Sequence, residues 1–405
     1  MNVRRSAAVL AAVAVLGSAG APAALADDAS PSPSTALPSG LYGASDPQYD
    51  GVFRQSYALL AQDAVGVKPA TKAVDWLTGQ QCASGGFAAY RADASTPCNS
   101  KTAVDSNSTA AAVQALAALG GQDKTVEKGV DWLKSVQRTD GGWGYNPGLP
   151  SDANSTGIVV GALVAAGENP ANVKSQDGKS AYDALPKLAL DCGKDGGAFG
   201  LMDTNSKKLL PNADATAAGV LGSLGKGLVV EPAKKAATDA PKCAKPDTAA
   251  QAASNGTGYL LDTLGKTDDH LMGASDVPDL GNTTDAVVAL AAAGQNEQAE
   301  KSAEWLSKNS ADWAKKGGPA AYSQLIFAAH ATGMDPRDFG GADLVKQLNA
   351  TGPAPQTSSE SPSASDKDEK KDDGGVSIWW IIGVGMVAGI GIGFLFSGNR
   401  KKKQL

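Results

Sequence analysis

Apolar positions fall along this chain in two alternating textures. The first is a set of runs that are apolar or small on nearly every side: Ser108–Leu119, Ser155–Ala166, Asp214–Leu224, Thr284–Ala293 and Ala320–Thr332. Helices without a wide polar face predict burial on several sides. The second texture is amphipathic and follows glycine. Gly121 to Trp132, Gly294 to Trp305 and Gly333 to Leu344 are each 11 residues apart, and Gly66 to Trp76 is 10. Four stretches end in glycine followed by x-Asn or x-Asp: Gly121-Gln-Asp, Gly167-Glu-Asn, Gly294-Gln-Asn and Gly333-Met-Asp. There the glycine is expected to close one helix and the Asn or Asp to cap the next. With 53–65 as the first buried helix, the pattern predicts six pairs: 53–65 with 68–81, 106–119 with 123–137, 153–166 with 177–191, 213–225 with 246–264, 283–293 with 296–309, and 319–331 with 335–349. The fourth pair is the least regular, interrupted by a Lys/Ala/Pro stretch at 231–245.

Two of the amphipathic units are copies of one another. KAVDWLTGQQCASGGF, Lys72 to Phe87, and KGVDWLKSVQRTDGGW, Lys128 to Trp143, share Trp-Leu, a Gln five residues after the Trp, and Gly-Gly-aromatic at matched spacing. Internal repetition at this scale signals a stacked or ring-like architecture. The repeat resembles the QW motif of the squalene/hopene cyclases and protein prenyltransferase β-subunits, the α/α-toroid superfamily. The resemblance implies an all-α fold: an α6/α6 barrel of six helical hairpins with an inner and an outer ring, spanning residues 53 to 349. Trp76, Trp132 and Trp305 then belong to outer helices and to hydrophobic packing between the rings.

The ends of the chain change the picture of where it works. Arg4 and Arg5, the apolar stretch Ala7 to Leu16 and Ala24-Leu25-Ala26 read as a signal peptide over 1–26. Val376 to Phe396 holds 21 residues without a charge, with Trp379 and Trp380 near its start and Arg400 to Lys403 after it. That arrangement predicts a single type I transmembrane helix, the body outside the cytoplasmic membrane of a bacterium and a basic tail at 397–405 inside. Residues 27–46 and 351–375 are Ser/Pro-rich or charge-rich and read as linkers, which leaves 47–350 for the folded body. Acidic residues outnumber basic ones, 42 against 36, without a basic stripe, which argues against a nucleic-acid partner. Four cysteines, Cys82, Cys98, Cys192 and Cys243, in an exported body predict two disulfides. Of the three pairings, Cys82–Cys98 with Cys192–Cys243 closes local loops.

Candidate chemistry concentrates at the starts of the buried helices. Asp105-Ser-Asn-Ser-Thr-Ala, Asp152-Ala-Asn-Ser-Thr-Gly and Asn212-Ala-Asp-Ala-Thr-Ala repeat there, with Asn282-Thr-Thr-Asp-Ala as a looser fourth copy. In the toroid family the pocket opens at these ends, and the terpene cyclases place an Asp-x-Asp-Asp-Thr-Ala acid at a similar helix start. No copy here is complete: Asp214 matches the middle Asp, but Asn212 and Ala215 stand for its acidic neighbours, and Asn107 and Asn154 occupy the middle position elsewhere. Two readings remain open for this repeat, helix capping and a polar ligand site of Asp105, Asn107, Asp152, Asn154 and Asp214. The aromatic turns, Tyr90 after Phe87, Trp143 with Tyr145, and Phe199, divide in the same way between stacking on a ligand and packing beneath the barrel mouth. A prenyltransferase-like zinc site cannot be assembled from the two histidines, His270 and His330, without an Asp-x-Cys.

The resemblance also extends to the cobalamin carriers intrinsic factor and transcobalamin, whose barrel works with a β-domain that this chain lacks. The leading expectation is a non-catalytic, membrane-anchored module capturing a small ligand, with a cobalamin-like molecule as the candidate the resemblance implies, and working with a membrane transporter. The alternatives are a cyclase- or lyase-like enzyme with Asp214 as general acid, and an envelope interaction scaffold.

Overall fold

A computed structural model describes residues 38–357, apart from 195, 204, 234–240 and 274–275. The signal-peptide and transmembrane readings, at 1–26 and 376–396, lie outside the described residues. Among the described residues no helix is long and apolar enough to cross a membrane.

The described chain is mostly helical, with twelve helices and four short strands. The helices are α1 (Gly51–Ala64), α2 (Thr71–Gly79), α3 (Ser106–Leu119), α4 (Asp123–Ser135), α5 (Ala153–Ala165), α6 (Ala181–Leu188), α7 (Ala213–Ser223), α8 (Ala249–Gly265), α9 (Leu280–Ala292), α10 (Asn296–Asn309), α11 (Ala311–Thr332) and α12 (Leu344–Asn349). The strands form two antiparallel pairs, β1 (Phe87–Ala88) with β2 (Val104–Asp105) and β3 (Gly200–Met202) with β4 (Leu209–Pro211). Each even helix packs on the odd helix before it. The odd helices also touch in sequence: α1 on α3, α3 on α5, α5 on α7, α7 on α9, α9 on α11, and α11 on α1. The Ala/Gly texture of the buried runs has its reason here. A Cβ on Gly157 of α5 would stand 2.3 Å from the Ala218 carbonyl oxygen of α7, so these two helices meet backbone to backbone. The main core draws on all six odd helices, from Leu59 and Ala112 to Val220, Leu290 and Phe327.

The copied units explain themselves at atomic level. In the first, Gln81 Nε2 donates to the carbonyls of Gly85 (2.9 Å) and Thr125 (2.8 Å); in the second, Gln137 Nε2 donates to Gly141 (2.8 Å). Each Gln thus clamps its own Gly-Gly turn. The turn in turn docks under the next amphipathic helix, where Gly86 lies against the Trp132 indole. The Trp-to-Gly-Gly spacing is therefore a contact between neighbouring units.

Several expectations need correction. Residues 38–46 and 351–357 are not linker: Tyr42 is fully buried, its hydroxyl donating to Gln62 Oε1 and to the Pro353 carbonyl, both at 3.1 Å. The Gly43 amide bonds to the Thr351 carbonyl (2.8 Å) and the Gln356 amide to Lys68 (2.9 Å), so both ends of the described chain belong to the fold. The linker calls at 27–37 and 358–375 lie outside the described residues. Gly121, Gly167, Gly294 and Gly333 do carry positive φ at helix ends. However, Asp123 and Asn296 lie inside α4 and α10 as first residues, while Asn169 and Asp335 accept local bonds from Ala171 and Arg337; none caps a following helix. The helices expected over 177–191 and 335–349 are shorter, α6 and α12, and α11 begins upstream at Ala311 with a break at Gly318 (φ 62, ψ −138) before Pro319. The two disulfides are Cys82–Cys98 and Cys192–Cys243, the pairing that closes local loops.

Candidate functional site

The repeat at the helix starts does two jobs, divided by position. Its first residue caps. The Asp105 carboxylate accepts from the Ser108 amide (2.7 Å), Asp152 from the Ser155 amide (2.7 Å), Asn212 from the Ala215 amide (2.7 Å) and Asp279 from the Asn282 amide (3.1 Å). The fourth copy therefore begins at Asp279, and Asn282 receives the cap bond instead of providing it. The fifth residue latches the preceding loop: Thr109, Thr156, Thr216 and Thr283 accept the amides of Phe87, Trp143, Phe199 and Leu271 at 2.9, 3.0, 3.0 and 2.9 Å. Burial raises the carboxyls of Asp105 and Asp152 against the lowering effect of these cap bonds.

The third residue of the repeat turns inward. Asn107, Asn154 and Asp214 line a cavity of about 300 Å³ bordered by every odd helix. Asn154 Nδ2 donates to Asp214. Asp285 of α9, the acid of the looser fourth copy, joins them, and the sequence did not single out the other lining side chains, among them Phe53 and Tyr57 from α1, Ile158 from α5, Ala218 from α7, Val288 from α9, and Gln324 and Phe327 from α11. Spacings of four and three residues within α1, α5, α9 and α11 put these side chains on one stripe of each helix. Gln324 Nε2 donates to both Asp285 oxygens, at 3.2 and 3.3 Å. Three rings of the lining pack on one another: Phe53 on Tyr57 at 4.5 Å between centroids and Tyr57 on Phe327 at 5.5 Å, edge to face.

The electrostatics of this cavity are one-sided. Asp285 keeps some accessible surface because it faces the cavity, yet protein surrounds it, and that desolvation, with Asp214 and Asp279 adding repulsion, raises its carboxyl to about 7. Burial likewise raises Asp214, offset by the Asn154 bond, with Asp279 and Asp152 adding to the rise. The Tyr57 phenol is pushed well up by burial and then by Asp285 and Asp214. Among the described residues no Lys, Arg or His lines the cavity. Asn107 Oδ1 and Asn154 Oδ1 are buried without a hydrogen-bond partner there, and unmatched buried acceptors are costly.

The other sequence candidates lie elsewhere. Trp143 is almost wholly buried with its indole Nε1 donating to the Leu133 carbonyl (2.7 Å), and Phe199 is fully buried against Gly219. Tyr90 stacks on Trp76 (6.4 Å, 20°), and Tyr145 is 44% exposed. None of these four aromatics lines the central cavity, nor do Asp105 and Asp152; packing and capping account for all but Tyr145. His270 stacks on Trp305 (4.1 Å, 7°), and His330 Nε2 pairs with Glu231 (3.1 Å). Among the described residues no group of three His, Cys, Asp or Glu side chains is placed to hold a metal ion.

Comparison with known proteins adds little. No family model matches the chain, and no curated protein matches it. Among solved structures it is similar to the crystal structure of a protein from Actinoplanes, at 14% identity and a TM-score of 0.47, over 73% of this chain and 94% of that one. A likeness at that level carries no argument about this chain.

Proposed function

We propose that the helices of residues 38–357 form an α6/α6 barrel, a toroid, whose central cavity captures a small ligand outside the cytoplasm, with the chain anchored through Val376–Phe396. The circuit of contacts among the odd helices supports the barrel. Two disulfides support an oxidising compartment. The observation that carries the binding role is the cavity itself. Each odd helix contributes lining, and the polar groups at one stripe include buried acceptors left unmatched by the protein. Its volume is at the low end for small-molecule sites. A corrinoid would project far beyond it, so the reading favours a much smaller ligand than cobalamin. Exposed apolar side chains occur in segments that precede odd helices, Tyr49 before α1, Leu201 and Leu210 on β3 and β4 before α7, and Val277 before α9, which suits capture of an amphipathic molecule.

The test is retention. Purified full-length chain is incubated with a metabolite extract, washed, and its bound species identified by mass spectrometry, in parallel with Ala218→Leu, which fills the cavity. The expected outcome is one compound retained unchanged by the wild type and lost from the variant. Equal retention by both would remove the cavity from the proposal.

A second reading is favoured by one observation, two carboxylates, Asp214 and Asp285, lining one cavity, where burial and Asp214 raise Asp285 to about 7. An acid that ionises near neutrality beside a second carboxylate is suited to general acid–base work. On this reading Asp285, more than Asp214, is the proton donor. It is distinguished by a chemically altered product in the same retention experiment.

A further inference from the structure

Resting on the cavity being a ligand site, we infer that its ligand presents an ammonium group on a compact apolar or aromatic body. The argument is a count of what the lining offers and lacks. On one side stand the Asp214 and Asp285 carboxylates and the unpartnered Asn107 and Asn154 carbonyl oxygens, all acceptors. Each carboxylate receives an amide donor, Asp214 from Asn154 and Asp285 from Gln324, and neither has a cation among the described residues. An ammonium brings two or three donors and one positive charge, the complement of that set.

On the other side, Phe53, Tyr57 and Phe327 form a contiguous aromatic wall. A cation near ring faces gains further, most of all where water is excluded. Tyr57 is 7% exposed, lines the cavity, and its hydroxyl has no hydrogen-bond partner among the described residues. The wall also rules out alternatives on chemistry. A bare metal ion would leave the aromatic half unused, an anion would be repelled by the carboxylates, and a neutral polyol would leave them without a counter-charge.

Burial and the neighbouring Asp214 raise the Asp285 carboxyl to about 7, so below that pH protonation of Asp285 lowers the charge of the site. The groups acting on that carboxyl are Asp214 from α7, Gln324 from α11 and Asp279 at the start of its own helix, with Tyr57 facing it from α1. Charged side chains of α8 and α10, such as Asp262 and Lys301, are exposed. An incoming ammonium replaces the proton, so binding and proton release are linked.

The test is titration calorimetry of the full chain with 2-phenylethylamine, its neutral isostere 2-phenylethanol, and 3-phenylpropanoate as the anionic counterpart. At pH 8 the amine is expected to bind at least tenfold more tightly than the alcohol, and the carboxylate weakest. Asp285→Asn and Asp214→Asn are each expected to lower amine affinity tenfold or more while leaving the alcohol unchanged. At pH 6 amine binding should release a proton, seen as a heat that varies with the ionisation enthalpy of the buffer. Alcohol or carboxylate binding as tightly as the amine, variants that leave the amine unaffected, or no probe bound at all would each overturn ammonium recognition. The cavity reading stands or falls separately, on the Ala218→Leu comparison.

Discussion

Asp285 is the residue on which most of the site's behaviour turns, and its signal in the sequence is slight. It is a single acid inside the apolar run Thr284-Asp285-Ala286-Val287-Val288. Burial and neighbouring carboxylates raise it to about 7 in the folded chain, against an ordinary value of about 4 when unfolded. Between roughly pH 4 and 7 the folded chain therefore holds a proton that the unfolded chain has released, and stability falls as pH rises through that window. Asp285→Asn keeps an acceptor for Gln324 and cannot ionise. It is expected to be more stable than the wild type at pH 8 by on the order of 2 kcal/mol, allowing for water in the cavity, with the difference vanishing near pH 4. Thermal unfolding across that range checks it; equal midpoints at pH 8 would mean that Asp285 ionises normally. The helix-start repeat shows why residue roles were only half legible. Its Asp and Asn letters are equally good caps and ligand groups, and only helix geometry sends the first to the backbone and the third into the cavity.

At the scale of elements, the Gly-Gly turns are joints between units. Gly85 has φ +97, and a Cβ there would stand 2.1 Å from the Lys128 carbonyl oxygen of α4. Gly66, which closes α1, also has positive φ (+71) but nothing within 4 Å of an added Cβ. Gly66→Ala is expected to cost about 1 kcal/mol, the left-handed penalty alone. Gly85→Ala adds a backbone clash to that penalty and is expected to cost about 3 kcal/mol or more. Urea unfolding of the two variants separates the cases, and equal losses would show that α4 yields to the added methyl. The repeat was plainly readable at this scale, because Gln, Trp and Gly-Gly recur at matched spacing. What it joins was not. The β1–β2 and β3–β4 pairs were also missed, being two or three residues long and made by loop register, without alternating polarity.

For the whole molecule, the two ends of the described chain meet where α11 returns to α1. Tyr42 sits at that seam, bonded to Gln62 of α1 and Pro353, with Gly352 against its ring. Replacing a fully buried aromatic by Ala typically costs about 3–5 kcal/mol. Tyr42→Ala is expected to lose that much in denaturant unfolding, far more than a linker position would. A loss below about 1 kcal/mol would detach 38–46 from the cooperative unit. Composition misled here: Ser, Pro and Gly around Tyr42 look like linker, and a single apolar pair, Leu41-Tyr42, is too short to show periodicity.

Periodicity and punctuation by themselves determined the helical class and the order of paired helices, because each depends on neighbours close in the chain, whereas the structure chose among the three disulfide pairings the sequence allowed. The cavity needed the tertiary structure. Its lining comes one stripe at a time from helices spread between Phe53 and Phe327, and no local pattern records which face of a nearly all-apolar helix will look inward. The charge state of Asp285 follows the same logic, since the desolvation and the partner carboxylate that set it exist only once distant helices enclose it.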